Sequence, residues 1–171
     1  DATIRAVRTV DDDDRIGAHI ELNHTPFYSE SGGQLGDTGT FTVDGDTVRV
    51  LDTQRIGDRI VHMVERLPTS LDAPVGATVD APRRQHIKKH HTATHLLHAV
   101  LRRTLGDHVQ QKGSLVAPDR LRFDFSHFEA VTDDELRAME VQINQAVQRN
   151  IAKQEECSVP MDEAQIGRAH V

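Results

Sequence analysis

Cysteine is nearly missing from this chain: Cys157 is the only one in 171 residues. One thiol excludes an internal disulfide framework and a cysteine-rich zinc ribbon, and it fits a reducing, cytoplasmic setting. Tryptophan is absent, and aromatic residues make up 4% of the chain. No run approaches the ~18 uncharged apolar residues of a membrane-spanning helix. No basic-then-apolar leader opens the sequence, so a secretory signal is not expected. Lysine is scarce, four against sixteen arginines, and nine glutamates stand against eighteen aspartates. An acidic, lysine-poor surface bears on solubility rather than on function. Histidine is plentiful, at eleven, so any metal site must lean on imidazole.

The net charge of −7 argues at first against a nucleic-acid partner, but it is unevenly spread. Residues 1–80 carry −8, residues 81–125 carry +6 and residues 126–171 carry −5. A basic island in an acidic chain is suited to phosphates. A solvated helix face is the competing reading. Asp11–Asp14, four acids in a row, reads as a solvated turn rather than a metal site.

The first part of the chain, 1–82, reads as β. Ile4–Val10, Ala18–Leu22 and Arg59–Glu65 are short strand candidates. Phe41–Val43 and Val48–Val50 flank Asp44-Gly45-Asp46, a hairpin signal. Many short strands with Gly/Asp turns point to a small barrel or sandwich. The composition changes near Pro82, and 83–171 reads as α+β. Arg83–Leu105 is a helix whose apolar stripe holds Ile87, Thr94, Leu97, Leu101 and Leu105, with Gly106 as its cap. Gly113–Val116 and Leu121–Phe125 are strands around a turn at 117–120. Thr132 and Glu135 form a capping box opening a helix with a stripe of Leu136, Met139, Ile143, Val147 and Ile151. Cys157–Met161 is a further strand, and Asp162 with Gln165 repeats the capping pattern. A helix beginning so near the last residue suggests a chain truncated at its C-terminus.

Five histidines lie within thirteen residues: His86, His90, His91, His95 and His98. His91 and His95, four apart on a helix, can close on one metal, and His98 follows one turn on. Surface or core histidines are the alternative. The metalloprotease pattern needs Glu directly after the first His, whereas Thr92-Ala93-Thr94 separates this pair.

The local sequence is more specific than the spacing. His91-Thr-Ala-Thr-His95-Leu-Leu-His98 resembles the zinc helix in the editing domain of alanyl-tRNA synthetases and of free-standing alanyl-tRNA editing proteins. Thr25-Pro-Phe-Tyr-Ser-Glu-Ser-Gly-Gly-Gln-Leu-Gly-Asp-Thr-Gly39 resembles the same family's glycine-rich motif. Val109-Gln-Gln-Lys-Gly-Ser-Leu-Val116 and Leu121-Arg-Phe-Asp-Phe-Ser-His-Phe128 match as well, in the family's order.

The resemblance implies a glycine-rich small β-barrel followed by a two-layer α+β domain of the kind shared with threonyl-tRNA synthetases. It implies hydrolysis of the ester joining serine or glycine to alanine tRNA. The tRNA is then the partner, with the remainder of a synthetase in cis. It implies zinc on His91 and His95, and Thr94 and Gln111 in the editing pocket. Without the resemblance, Thr94 reads equally as a core residue bonding its own backbone, and Gln111 as a surface glutamine. Arg83, Arg84, Lys88, Lys89 and Lys112 are the expected tRNA contacts. Gly32 and Gly33 belong with the substrate loop, and together with Gly36 and Gly39 they also read as turn glycines at positive φ. The family completes its zinc site with a Cys-x-x-x-His motif. Here Met161 follows Cys157 by four and Ile166 precedes His170 by four, so the second ligand pair is expected outside this chain, and the segment alone is expected to be inactive. Two other readings stand: a tRNA-binding module without catalysis, and a free-standing editing hydrolase. Gly32-Gly33-Gln34 is also the tripeptide of translation release factors, a three-residue match inside the longer block.

Overall fold

The computed structural model describes residues 2–12 and 15–150. The expectations for Ile151, Cys157–Met161 and Asp162 with Gln165 lie outside the described residues, as does part of the acidic run at 11–14. The chain is mixed α+β and divides into two compact units. Of the described residues, one holds 2–12, 15–88 and 115–120, the other 89–114 and 121–150.

The first unit is built on six antiparallel strands: β1 (Ile4–Asp12), β2 (Arg15–Leu22), β3 (Gly39–Val43), β4 (Asp46–Ile56), β5 (Arg59–Val64) and β6 (Val75–Val79). Their order across the sheet is β1-β2-β5-β4-β3-β6. The β3–β4 hairpin turns on Asp44-Gly45, both at left-handed φ, 49° and 80°, in the two-residue geometry that matches strand twist. Val43 pairs with Asp46 across that turn. Alternation then faces Phe41, Val43, Val48 and Val50 inward, all buried, with Ile20, Val64 and Val75 in the same core.

The sheet does not close into the expected barrel. All five residues of β6 are in register with β3, and β1 shares no ladder with β6. Among the described residues the two edges converge at one bridge, where Ala2 and Val75 exchange backbone hydrogen bonds of 3.1 and 2.8 Å. Strand β6 is also an addition to the reading from sequence. Its Gly76 and the preceding Pro74 weaken the strand signal, and pairing with β3 supplies what local propensity does not.

Helix α1 (Ala81–Leu105) ends at Gly106, φ 114°, whose N–H bonds Arg102 O at 3.0 Å. Ile87, Thr94 and Leu101 of its stripe are buried, and Leu97 and Leu105 are half-buried. Strands β7 (Gln111–Val116) and β8 (Leu121–Phe125) form a two-stranded sheet. Helix α2 (Asp133–Gln148) opens on the complete capping box: Thr132 accepts from Glu135 N, and the Glu135 carboxylate accepts from Thr132 N. The Glu135 carboxylate accepts from both Thr132 N and the Thr132 hydroxyl, each at 2.8 Å, and these bonds hold its pKa below the usual value. The second unit's core is small. Val100, Leu101, Val109 and Met139 are buried, with Leu97, Phe123, Phe125 and Ile143 packed against them. Among the described residues of the α2 stripe only Met139 is fully covered, and Leu136 and Val147 are exposed.

Candidate functional site

The glycine-rich segment 25–39 runs between β2 and β3 and is held by scattered backbone bonds and by side chains rather than by a continuous ladder. Gly32 and Gly33 both take left-handed φ, 58° and 84°, a conformation that costs glycine little and other residues more. They turn the chain so that Ser31 and Gln34 exchange backbone bonds of 3.2 and 2.9 Å. The Gly33 carbonyl then accepts from Val116 N at 2.7 Å. Gly36 and Gly39 are glycine for a different reason than the turn expected of them. A Cβ on Gly36 would lie 2.1 Å from Thr53 O, and one on Gly39 2.1 Å from Thr78 O.

Asp37 anchors this loop from inside, at 2% exposure. Its Oδ2 accepts from Tyr28 N at 2.7 Å and from Arg84 Nε at 3.0 Å, and it also meets Arg84 Nη2. Arg84 Nη2 further donates to Pro26 O at 2.7 Å, and Arg83 Nη1 to Gly36 O at 2.8 Å. Two of the residues expected to meet substrate are thus committed to the loop. A forked guanidinium is suited to this, since it satisfies a carboxylate and a carbonyl at once.

Behind the loop sits His62, fully buried. The Ile20 carbonyl can only accept, so the His62 Nδ1–H donates to it at 2.9 Å. Burial pushes the imidazole pKa below its ordinary value against that hydrogen bond. The neutral ring then accepts at Nε2 from the Thr25 hydroxyl, 2.8 Å away, and Thr25 Oγ1 accepts from Phe27 N at 3.1 Å. Phe27 and Phe41 pack edge-on against the ring, at centroid distances of 5.4 and 5.0 Å.

In the second unit, α1 brings His91 and His95 together. Both are exposed, and their ring centroids are 5.0 Å apart at 36°. Two imidazoles sharing a tetrahedral zinc, with Zn–N of ~2.0–2.1 Å, place their centroids ~5 Å apart. The pair therefore fits half of such a site. Among the described residues no group of three His, Cys, Asp or Glu side chains is placed to hold a metal. His98 instead packs on Phe123, centroids 5.2 Å apart. Thr94, 9% exposed, donates its hydroxyl to His90 O at 2.8 Å. Its oxygen keeps lone pairs for a further donor. Gln111 is exposed and donates from Nε2 to Ser114 Oγ at 3.2 Å. Lys112, also exposed, donates to Gln110 Oε1 at 3.4 Å. Lys88 and Lys89 are exposed on α1.

Sequence reasoning did not single out Asp37, His62, or the cluster of His108, His127 and Phe128. His108 Nε2 and His127 Nδ1 share a 2.9 Å hydrogen bond, and Phe128 stacks on His108 with centroids 4.4 Å apart. Each of these depends on residues 19 to 47 positions apart meeting in space, for which a single sequence carries no local signal.

The family model described as tRNA synthetases class II (A) matches residues 8–85. The alanine–tRNA ligase of Salinibacter ruber is 64% identical over 164 residues, which is 96% of this chain and 17% of the relative. That of Bacteroides fragilis is 48% identical over 145 residues, 85% of this chain and 17% of the relative. That of Pseudoalteromonas translucida is 52% identical over 134 residues, 78% of this chain and 15% of the relative. The chain spans about one-sixth of the length of these relatives. It is a segment of the alanine–tRNA ligase family.

Proposed function

We propose that this segment edits: it hydrolyses the ester of mischarged seryl- or glycyl-tRNA for alanine, next to a zinc held in part by His91 and His95. The observation that carries this reading is the 5.0 Å approach of two exposed imidazoles on one helix.

Ester hydrolysis needs a placed water and charge stabilisation at the developing oxyanion. His91 and His95 would hold a zinc in part, with donors outside the described residues, and the bound ion would supply a Lewis acid there. The chain's own residues sort serine from alanine. Thr94 donates to His90 O, so towards a ligand it acts as an acceptor. A seryl hydroxyl satisfies it and an alanyl methyl does not. A site built to hydrogen-bond a hydroxyl rejects the analogue lacking it by roughly 10⁴-fold or more. The amide N–H of Gln111 supplies a donor for the substrate's ester carbonyl.

Phosphate contacts fall to Lys88, Lys89 and Lys112, because Arg83 and Arg84 hold the glycine-rich loop. Binding through those lysines weakens with salt.

The test is release of labelled serine from mischarged alanine tRNA by the full-length ligase that carries this segment. Release that stops in chelator and in His95→Ala, with alanyl-tRNA spared, supports the reading. Release unaffected by both overturns it and leaves a tRNA-binding module.

A further inference from the structure

Phe128 is the most exposed large apolar side chain among the described residues, at 86%. It is not a loose ring. One face lies on His108, with centroids 4.4 Å apart and planes 24° from parallel. His108 is fixed in turn by its 2.9 Å hydrogen bond to His127, whose ring lies 18° from parallel with it. Backbone bonds tie the two ends of this cluster together: Ser126 N donates to Gln110 O at 3.0 Å. The Gln110 side chain accepts from Lys112 Nζ. A flat aromatic ring is therefore preset, one face supported and the other open, with an ammonium group on the same scaffold.

We propose that Phe128 is a stacking platform for one unpaired base at the single-stranded end of the tRNA, with Lys112 on a neighbouring phosphate. This assignment rests on the tRNA partner given above. Every nucleobase offers a π-face, and an aromatic ring held parallel to its support receives one without ordering cost to itself. An apolar protein partner needs apolar neighbours around the ring. The groups tied to Phe128 are two imidazoles, Ser126, Gln110 and Lys112, all polar. Residues 81–125 carry +6, which favours a polyanion. Glu129 follows Phe128 in the chain, which makes the ring a place for a base rather than for a phosphate.

The experiment uses the full-length ligase and a six-nucleotide single-stranded RNA with 2-aminopurine at its 3′ end. Affinity is read by anisotropy and stacking by fluorescence quenching. Phe128→Ala should weaken binding about 10-fold, abolish the quenching and leave the salt slope unchanged. Phe128→Leu should lose as much, and Phe128→Trp should bind as well as the parent. Lys112→Ala should flatten the salt slope by about one phosphate. The exposed position leaves melting temperatures unchanged in all four. Parent-like affinity and quenching in Phe128→Ala, or in Phe128→Leu, would overturn the assignment. Serine release measured in parallel separates the two readings. If the parent ligase releases none, editing fails whatever the RNA affinities. If it releases serine while Phe128→Ala still quenches, only the platform fails.

Discussion

The two units differ in where their chemistry-bearing groups are directed. In the sheet unit the unusual residues face inward: Asp37 on Arg84, His62 between Ile20 and Thr25, Phe41 at the centre of the core. In the helical unit they face outward: His91, His95, Gln111, Lys112 and Phe128 are all exposed. Among the described residues its core holds Val100, Leu101, Val109 and Met139. Polar residues buried in one unit fix a loop, and polar residues of the other lie at its surface. The same residue type, histidine, serves both ends, since His62 is neutral and enclosed while His91 and His95 present their rings to solvent.

Substitutions can break this contrast, and the sheet unit should be the more sensitive. Phe41→Ala removes a ring at the centre of its core and should cost about 4 kcal/mol in denaturant unfolding. Arg84→Ala leaves the Asp37 carboxylate enclosed without its cation. It should cost about 3 kcal/mol, less if water reaches the gap through the part of Arg84 that is exposed. Lysine there should recover only part of the loss, because one ammonium cannot reproduce both the carboxylate and the Pro26 carbonyl contacts. In the helical unit, Thr132→Ala removes the capping box and should cost about 1 kcal/mol.

A further effect shows only below neutrality. His62 has a folded pKa below its unfolded value of about 6.5, so the unfolded chain binds the proton more readily. The stability held by the neutral ring is complete above about pH 6.5 and is lost as pH falls towards the depressed folded value. His62→Gln should flatten that part of the stability profile. The smallest effect sharpens the contrast from the other side: Leu136→Ala, at a position of the α2 stripe left half open to solvent, should change stability by no more than about 0.5 kcal/mol.

What was legible in the sequence was local. The Thr132–Glu135 box, the Asp44-Gly45 turn and the i,i+4 pair of His91 and His95 each lie within a few residues, and each stands in the structure where the spacing puts it. Contacts between distant residues were not legible. Arg83 and Arg84 read as phosphate contacts because charge is visible in a sequence, while their partners, Gly36 and Asp37, lie 47 residues away. Gly36 and Gly39 read as turn residues, yet neighbouring strands press on them. Thr94 illustrates an even choice: both its backbone bond and a pocket role suited the pattern, and the hydroxyl took the backbone bond, leaving its oxygen as an acceptor.

The most direct test of the claim that the outward-facing histidines hold a metal is the zinc content of the full-length ligase, counted per chain by elemental mass spectrometry. The parent should carry a zinc that both His91→Ala and His95→Ala lose, while Phe128→Ala and Thr132→Ala retain it and the melting of the His variants stays near that of the parent. Equal zinc in the parent and in both His variants would contradict the account.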